Sequence, residues 1–320
     1  MYSELISLIS AKQHIGIISH FRPDGDAVGS TLALGLALRA MGKDVTMWNE
    51  DGVPARYAFL EGSESVQPLP ESVPSELELL ICVDTGDWKR LGDRAAALFA
   101  GFPCIANIDH HGTNSCYGHV NVVEGGASAC GFVLYKILRT MGAPLTRDIA
   151  AALYVAINTD TGSFQYSSTT PADMRAVAEL MEQGIDIADI NRRVYQEKPL
   201  TELRVTAEVI ANMVVEAAGQ LSHYSMSMAT KERMGLSLED TKDLVDIIRV
   251  VSGVRVSVIF EELGDGRIRM SLRSKDPAFS VADIATQFGG GGHAMAAGIR
   301  MRGELAAVRE QVLSAIRAAL

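Results

Sequence analysis

Four short apolar segments, three of which run straight into acidic or histidine residues, constrain the fold of this chain most. HIGIISH (14–20), DVTMWN (44–49), LELLICVD (77–84) and CIANIDHH (104–111) are bounded by turn residues and are nearly continuous in apolar character. Strands of that kind are covered on both faces, as in a parallel sheet. Helical spacing marks STLALGLALRAMG (30–42), with Gly42 placed to end it, and also SACGFVLYKILRTMG (128–142), RDIAAALYVAIN (147–158) and PADMRAVAELMEQG (171–184). Pro171 suits a first helical turn. The alternation predicts an α/β domain with an open, mainly parallel sheet and helices on both faces.

Beyond Gly184 the texture changes. IDIADINRRVYQEKPLTELRV mixes charges with Pro199 and has no strand pattern. A linker is therefore expected at 187–200, between a first domain at 1–186 and a second at 201–320. In the second, LSHYSMSMAT (221–230), VRVSVIFEEL (254–263) and RIRMSLRS (267–274) alternate like strands, and Gly264-Asp265-Gly266 reads as a hairpin turn. Helical patterns lie around 239–250, 280–288 and 303–319. This predicts a smaller α/β domain with a mixed sheet.

Composition narrows the function classes. The 320 residues suffice for two cores. No run of about 18 apolar residues suggests a membrane span, and the N-terminus does not read as a signal peptide. Cys82, Cys104, Cys116 and Cys130 form no CxxC pair and read as reduced thiols of a cytoplasmic protein. The net charge of −10 argues against a binder of long nucleic acid. Residues 1–190 carry 12 Lys+Arg against 23 Asp+Glu, and residues 191–320 carry 17 against 16, so the acidic excess belongs wholly to the first part.

Four clusters then stand out: His20 with Asp24 and Asp26, Asp84, Asp109-His110-His111, and Asp160, each at the C-terminal end of an apolar segment. In an open parallel sheet, ligands bind beyond the carboxyl ends of the strands, so these groups are expected to converge. Converging carboxylates repel one another unless cations sit among them. Carboxylate and imidazole without thiolate suit Mn²⁺ or Mg²⁺, with Fe, Co or Zn also compatible, and a metal pair can activate water against a phosphoryl group. Two Asp-Thr-Gly triplets, at Asp84 and Asp160, imitate an aspartic protease. They lie too close together for that fold, however, and the second follows a helical pattern.

His20…Pro23-Asp24-Gly25-Asp26-Ala27-Val28-Gly29-Ser30, Asp84, Asp109-His110-His111 and Asp160 together resemble the four motifs of the DHH phosphoesterase superfamily. Gly289-Gly290-Gly291-Gly292-His293-Ala294-Met295-Ala296-Ala297-Gly298 resembles the glycine-rich element of the associated DHHA1 domain. Length and architecture are most similar to the stand-alone NrnA type, which degrades very short RNA and removes the 3′-phosphate of 3′-phosphoadenosine 5′-phosphate.

The resemblance implies two divalent metal ions, foremost Mn²⁺, with Mg²⁺, Co²⁺ or Fe²⁺ as alternatives. His20, Asp24 and Asp84 would hold one; Asp26, Asp84, His110 and Asp160 the other, with Asp84 bridging. His111 would face the scissile phosphate, Asp109 would orient the histidines, and a bridging water would be the nucleophile. In the second domain Arg273, Ser274, Gly290, Gly291, Gly292 and His293 would grip the nucleotide, with the linker as hinge. Arg267, Arg269, Arg273 and Lys275 share one face by their odd spacing. The expected partners are short RNA and 3′-phosphoadenosine 5′-phosphate, with no long nucleic acid and no membrane, on a monomer or homodimer. A pApA phosphodiesterase and a non-catalytic nucleotide binder are the alternatives.

Overall fold

The computed structural model describes residues 2–236, 241 and 244–320. Two compact units emerge, Met1–Glu197 and Lys198–Leu320.

The first unit opens with α1 (Ser3–Ala11), β1 (His14–Ser19), α2 (Gly25–Ala40), β2 (Asp44–Trp48) and β3 (Val66–Gln67). It continues with β4 (Leu79–Val83), α3 (Asp93–Leu98), β5 (Ile105–Asp109), β6 (Val120–Val123), α4 (Cys130–Met141), α5 (Arg147–Asp160), α6 (Pro171–Glu182) and α7 (Ile187–Asn191). All six strands are parallel, in the order β3-β2-β1-β4-β5-β6. The chain moves outward from β1 in one direction, then returns to β4 and moves outward in the other. That reversal opens a crevice at the carboxyl ends of β1 and β4.

The sheet is covered on both faces, as the continuous apolar strands require. Ile15, Ile17, Leu79, Ile81 and Val83 pack with α1, α2, α4 and α5, while Ile18, Leu80 and Cys82 pack with Leu91, Ala95 and Phe99 on the other side. α2 begins at Gly25, five residues before the apolar pattern that announces it, because Asp24 caps it by accepting from the Asp26 and Ala27 N–H groups. α6 opens on the expected Pro171, inside a Thr170–Asp173 capping box. Residues 187–196 form α7 and a π-helical turn.

The second unit contains α8 (Leu200–Asn212), β7 (Val214–Glu216), β8 (Leu221–Met226), α9 (Met228–Met234), α10 (Leu244–Ile248) and β9 (Val256–Glu262). β10 (Arg267–Ser274), α11 (Val281–Gln287), β11 (Gly291–His293), β12 (Ala296–Arg302) and α12 (Leu305–Ala319) complete it. The sheet runs β11-β12-β10-β9-β8-β7 and is mixed, since β8 and β9 are parallel and the other pairs antiparallel. The strand expected over 221–230 stops at Met226, where Ser227 caps α9 with its hydroxyl. Of the helix expected over 239–250, α10 is the described part; residues 239, 240, 242 and 243 lie outside the described residues. No helix among the described residues is long and apolar enough to cross a membrane.

Candidate metal centre

Three strand ends deliver the first candidate ligands. His20 follows β1, Asp84 follows β4, and Asp109 closes β5 ahead of His110 and His111. Because β1, β4 and β5 are neighbours in the sheet, these residues meet at its carboxyl edge. α2 adds Asp24 and Asp26, and α5 adds Asp160 from its last residue. The two helices approach closely because glycines line the contact. A Cβ on Gly25 would lie 2.3 Å from Thr159 Oγ1, and one on Gly29 would lie 2.4 Å from the Ala152 carbonyl oxygen.

The side chains form two groups that share Asp84. His20 Nε2 lies 3.7 Å from Asp24 Oδ1 and 3.5 Å from Asp84 Oδ2. His110 Nε2 lies 3.7 Å from Asp26 Oδ2, 3.6 Å from Asp84 Oδ1 and 3.4 Å from Asp160 Oδ2. These separations exceed hydrogen bonds. They lie at or within a few tenths of an ångström of the spacing of neighbouring ligand atoms around one ion, roughly 3.0–3.5 Å when the ligand bonds are about 2.1 Å. The His20 Nδ1–H donates to the Phe21 carbonyl at 2.8 Å, and the His110 Nδ1–H to the Ala127 carbonyl at 3.2 Å. Each ring therefore turns Nε2 toward the carboxylates, the arrangement of a metal-ligating histidine.

Asp84 supplies the decisive test of fit. It is buried, its backbone is left-handed at φ +51°, and Oδ1 has no hydrogen-bond partner. A buried carboxylate oxygen without a donor is costly, and a cation satisfies it. Asp26 has donors, from the Cys130 and Gly131 N–H groups and the Ser30 hydroxyl, yet burial, then the charges of Asp84 and Asp160, push its pKa well above the ordinary value. Burial also raises Asp160, to about 6; His110 opposes this and Asp84 adds to it. For His20 burial works downward, but Asp24 and Asp84 outweigh it and hold the ring at about 10. A metal-free centre thus favours protons where cations would otherwise sit. The residues fit a divalent metal, and no thiol enters the groups able to hold one.

His111 is the most exposed of the three histidines. Its Nδ1–H donates to Asp109 Oδ1 at 2.7 Å, which leaves Nε2 as the free ring nitrogen. The other Asp109 oxygen accepts from Asn114 Nδ2 at 2.5 Å, and that amide also donates to Asn107 Oδ1 at 2.8 Å. Asp109 is fully buried, and despite that burial the bonds from His111 and Asn114 hold its pKa low. Asn114 was not singled out from the sequence; its position five residues after the strand-end Asp109 is the only signal it carries there.

In the second unit the arginine row of β10 lies on one face, opposite the buried Ile268, Met270 and Leu272. Arg267 pairs with Asp265 and Arg269 with Glu261. Lys275 donates to the Val251 carbonyl. Among the described residues Arg273 makes a 3.9 Å approach to Asp246 and a bond to the Leu272 carbonyl. Ser274 falls on the buried face, and its hydroxyl bonds the backbone of Asp276 in a turn. Gly291, Gly292 and His293 form the exposed edge strand β11, with Gly290 just before it. A Cβ on Gly290 would meet the Gly298 carbonyl oxygen at 2.3 Å, and Gly292 adopts φ +148°.

Residues 14–157 match the DHH family, N-terminal domain, and residues 225–320 match the DHHA1 domain. A Thermus thermophilus protein named bifunctional oligoribonuclease and PAP phosphatase NrnA is 34% identical over 95% of this chain and 89% of its own length. The chain belongs to the DHH family. A Bacillus subtilis DHH relative of the same name is 27% identical over 93% of this chain and 92% of its own. Among solved structures, an exopolyphosphatase-related protein from Bacteroides fragilis matches with a TM-score of 0.90 at 25% identity, covering 99% of this chain and 96% of that one.

Proposed function

We propose that this DHH protein is a cytoplasmic phosphoesterase that degrades very short oligoribonucleotides to mononucleotides and converts 3′-phosphoadenosine 5′-phosphate to AMP. The observation that carries the reading is Asp84, which aims one carboxylate oxygen at each of two donor groups while Oδ1 is buried without a hydrogen bond. The substrate class is drawn from the names of the relatives.

His20, Asp24 and Asp84 would hold one divalent ion, and Asp26, Asp84, His110 and Asp160 the other, with Mn²⁺ suited to this mixed N/O set. Such a pair supplies a water acidic enough to attack at neutral pH and a Lewis acid for phosphoryl oxygens. The chain does the positioning. Four aspartates balance the charge of two divalent ions, so the loaded centre does not repel an anionic substrate. The Asp109 bond favours the protonated His111 ring, whose Nε2–H would donate to a phosphoryl oxygen, steadied by Asp109 and Asn114. Arg273, the glycines 290–292 and His293 bind the nucleotide; Ser274 serves the turn behind Arg273.

The test is product analysis with Mn²⁺ on 3′-phosphoadenosine 5′-phosphate, pApA, a five-nucleotide RNA and pyrophosphate. AMP from the first two, mononucleotides from the RNA and intact pyrophosphate are expected. Cleavage of pApA alone would move the protein to dinucleotide turnover, and no nucleotide hydrolysis would refute the proposal.

A further inference from the structure

We infer that Arg22, Phe21 and Arg90 form a phosphate subsite beside the metal centre, which binds the non-scissile phosphate of a nucleotide substrate. The inference rests on the phosphoesterase reading above and names a specificity element within it.

Phe21 directly follows the ligand His20, and its carbonyl accepts the His20 Nδ1–H. The guanidinium carbons of Arg22 and Arg90 each lie over the Phe21 ring, 5.6 Å from its centroid. The three residues come from two loops joined by backbone, since the Phe21 N–H donates to the Arg90 carbonyl at 2.8 Å. Arg90 sits in the 3₁₀ turn Trp88–Leu91, which Asp87 caps just after the strand-end Asp84. Arg22 is left-handed at φ +54°, and its N–H donates to Asp51 Oδ2 at 2.6 Å. A strained non-glycine residue held by a side-chain clamp beside a site is a conformation the surroundings impose.

The charges are unspent. Within a part of the chain where acidic residues outnumber basic ones, neither guanidinium has a carboxylate at ion-pair distance among the described residues, and both arginines are exposed. Asp51 engages the Arg22 backbone, not its guanidinium. A guanidinium laid over an aromatic ring loses little freedom on binding and presents its N–H fork outward. Phosphate is the anion that fork matches. Phe21 ties the arginines to the ligand His20, so a phosphate they hold belongs to the molecule whose scissile phosphate lies at the metals. In 3′-phosphoadenosine 5′-phosphate that is the 5′-phosphate, and in short RNA it is the adjoining linkage.

Steady-state hydrolysis of 3′-phosphoadenosine 5′-phosphate with Mn²⁺ tests this, using wild type, Arg22→Gln/Arg90→Gln and Arg22→Lys/Arg90→Lys. The glutamine pair should raise KM about tenfold with kcat within about threefold, and the lysine pair should recover most of that loss. Added salt should raise the wild-type KM more steeply than that of the glutamine pair, because screening acts on the charges removed. Thermal melting checks the fold, and Arg90→Gln alone carries the same expectation should the double variant unfold. An unchanged KM in the folded glutamine variants overturns the subsite while leaving the phosphoesterase reading intact. Absence of turnover of this substrate and of short RNA by wild type overturns that reading, and the subsite with it.

Discussion

Asp84→Asn should stabilise the metal-free protein and disable the loaded one. The substitution preserves size, and asparagine tolerates the left-handed φ of +51° at this position better than most residues. It removes a buried charge whose Oδ1 lacks a donor and whose field helps raise the Asp26 pKa. Relief of this repulsion, less the part of the His20 pairing lost with Asp84, is worth about 1–2 kcal/mol, which in a unit of this size raises Tm by about 2–8 °C. Metal acts the other way. At a free concentration of 1,000 times Kd, one bound ion stabilises by about 4 kcal/mol, or about 8–16 °C. Because Asp84 faces both donor groups, the asparagine variant should lose most of that shift. Differential scanning calorimetry of both proteins, in EDTA and across a Mn²⁺ titration, reads the two effects separately. Turnover should fall by more than about 100-fold, beyond what loss of an outer hydrogen-bond partner costs. A metal-free Tm several degrees below wild type, or a Mn²⁺ shift retained in full, would refute the reasoning.

Other perturbations separate the remaining parts. Asn114→Ala releases Asp109 Oδ2 and should lower kcat about 10–100-fold with the bound Mn²⁺ content unchanged by elemental analysis; kcat within threefold would count against Asn114 as a positioning residue. Gly29→Ala places a Cβ 2.4 Å from the Ala152 carbonyl oxygen and should cost about 1–3 kcal/mol in urea unfolding, although alanine is the better helix former. Glu261→Gln leaves buried Lys231, 2.6 Å from Glu261 Oε1, without its countercharge and should destabilise the second unit by about 3 kcal/mol. The metal-free protein should gain stability as pH falls. The raised His20 contributes fully below its unfolded value of 6.5 and loses that contribution toward 10. Asp160 contributes fully below 3.8 and loses it toward 6, with Asp26 in the same direction. Calorimetry in EDTA should show Tm rising from pH 9 to pH 5.5, and with Mn²⁺ this gain should shrink or reverse because protons compete for the ligands.

The strands of the first unit were legible because burial on both faces leaves a continuous apolar run, and β10 was legible to the residue because its arginines alternate with Ile268, Met270 and Leu272. The clusters at His20, Asp84 and Asp109 followed from the strand-end rule, and Asp160 from the end of the helical pattern that starts at 147. Elements whose stability is not local leave no such pattern. β3 is a two-residue edge, β6 is short and partly exposed, and α3 is a helix of 6 residues. The start of α2 was hidden because its first turn carries glycine and aspartate chosen for the centre, which erases the apolar pattern. The family resemblance names Ser274 together with Arg273, yet alternation sends it to the opposite, buried face. Asn114 and the arginines over Phe21 depend on contacts between separate loops, and no spacing rule reports those.

Several departures from local propensity in the first unit gather in one place, and that place is informative. Arg22 and Asp84 have positive φ, Asp26 is buried with a raised pKa, and Asp84 Oδ1 lacks a donor, all around the β1 and β4 ends. A fold selected for stability alone would remove each by substitution, since asparagine at 84 or a neutral residue at 26 relieves it. Local conflicts that persist together mark a function that needs them. Here they share one remedy. Cations held between His20, Asp84 and His110 would satisfy the orphan oxygen, cancel the repulsion on Asp26 and displace the protons that burial favours. The metal-free conflict and the loaded catalyst are therefore one design, and a variant that relaxes the first should disable the second.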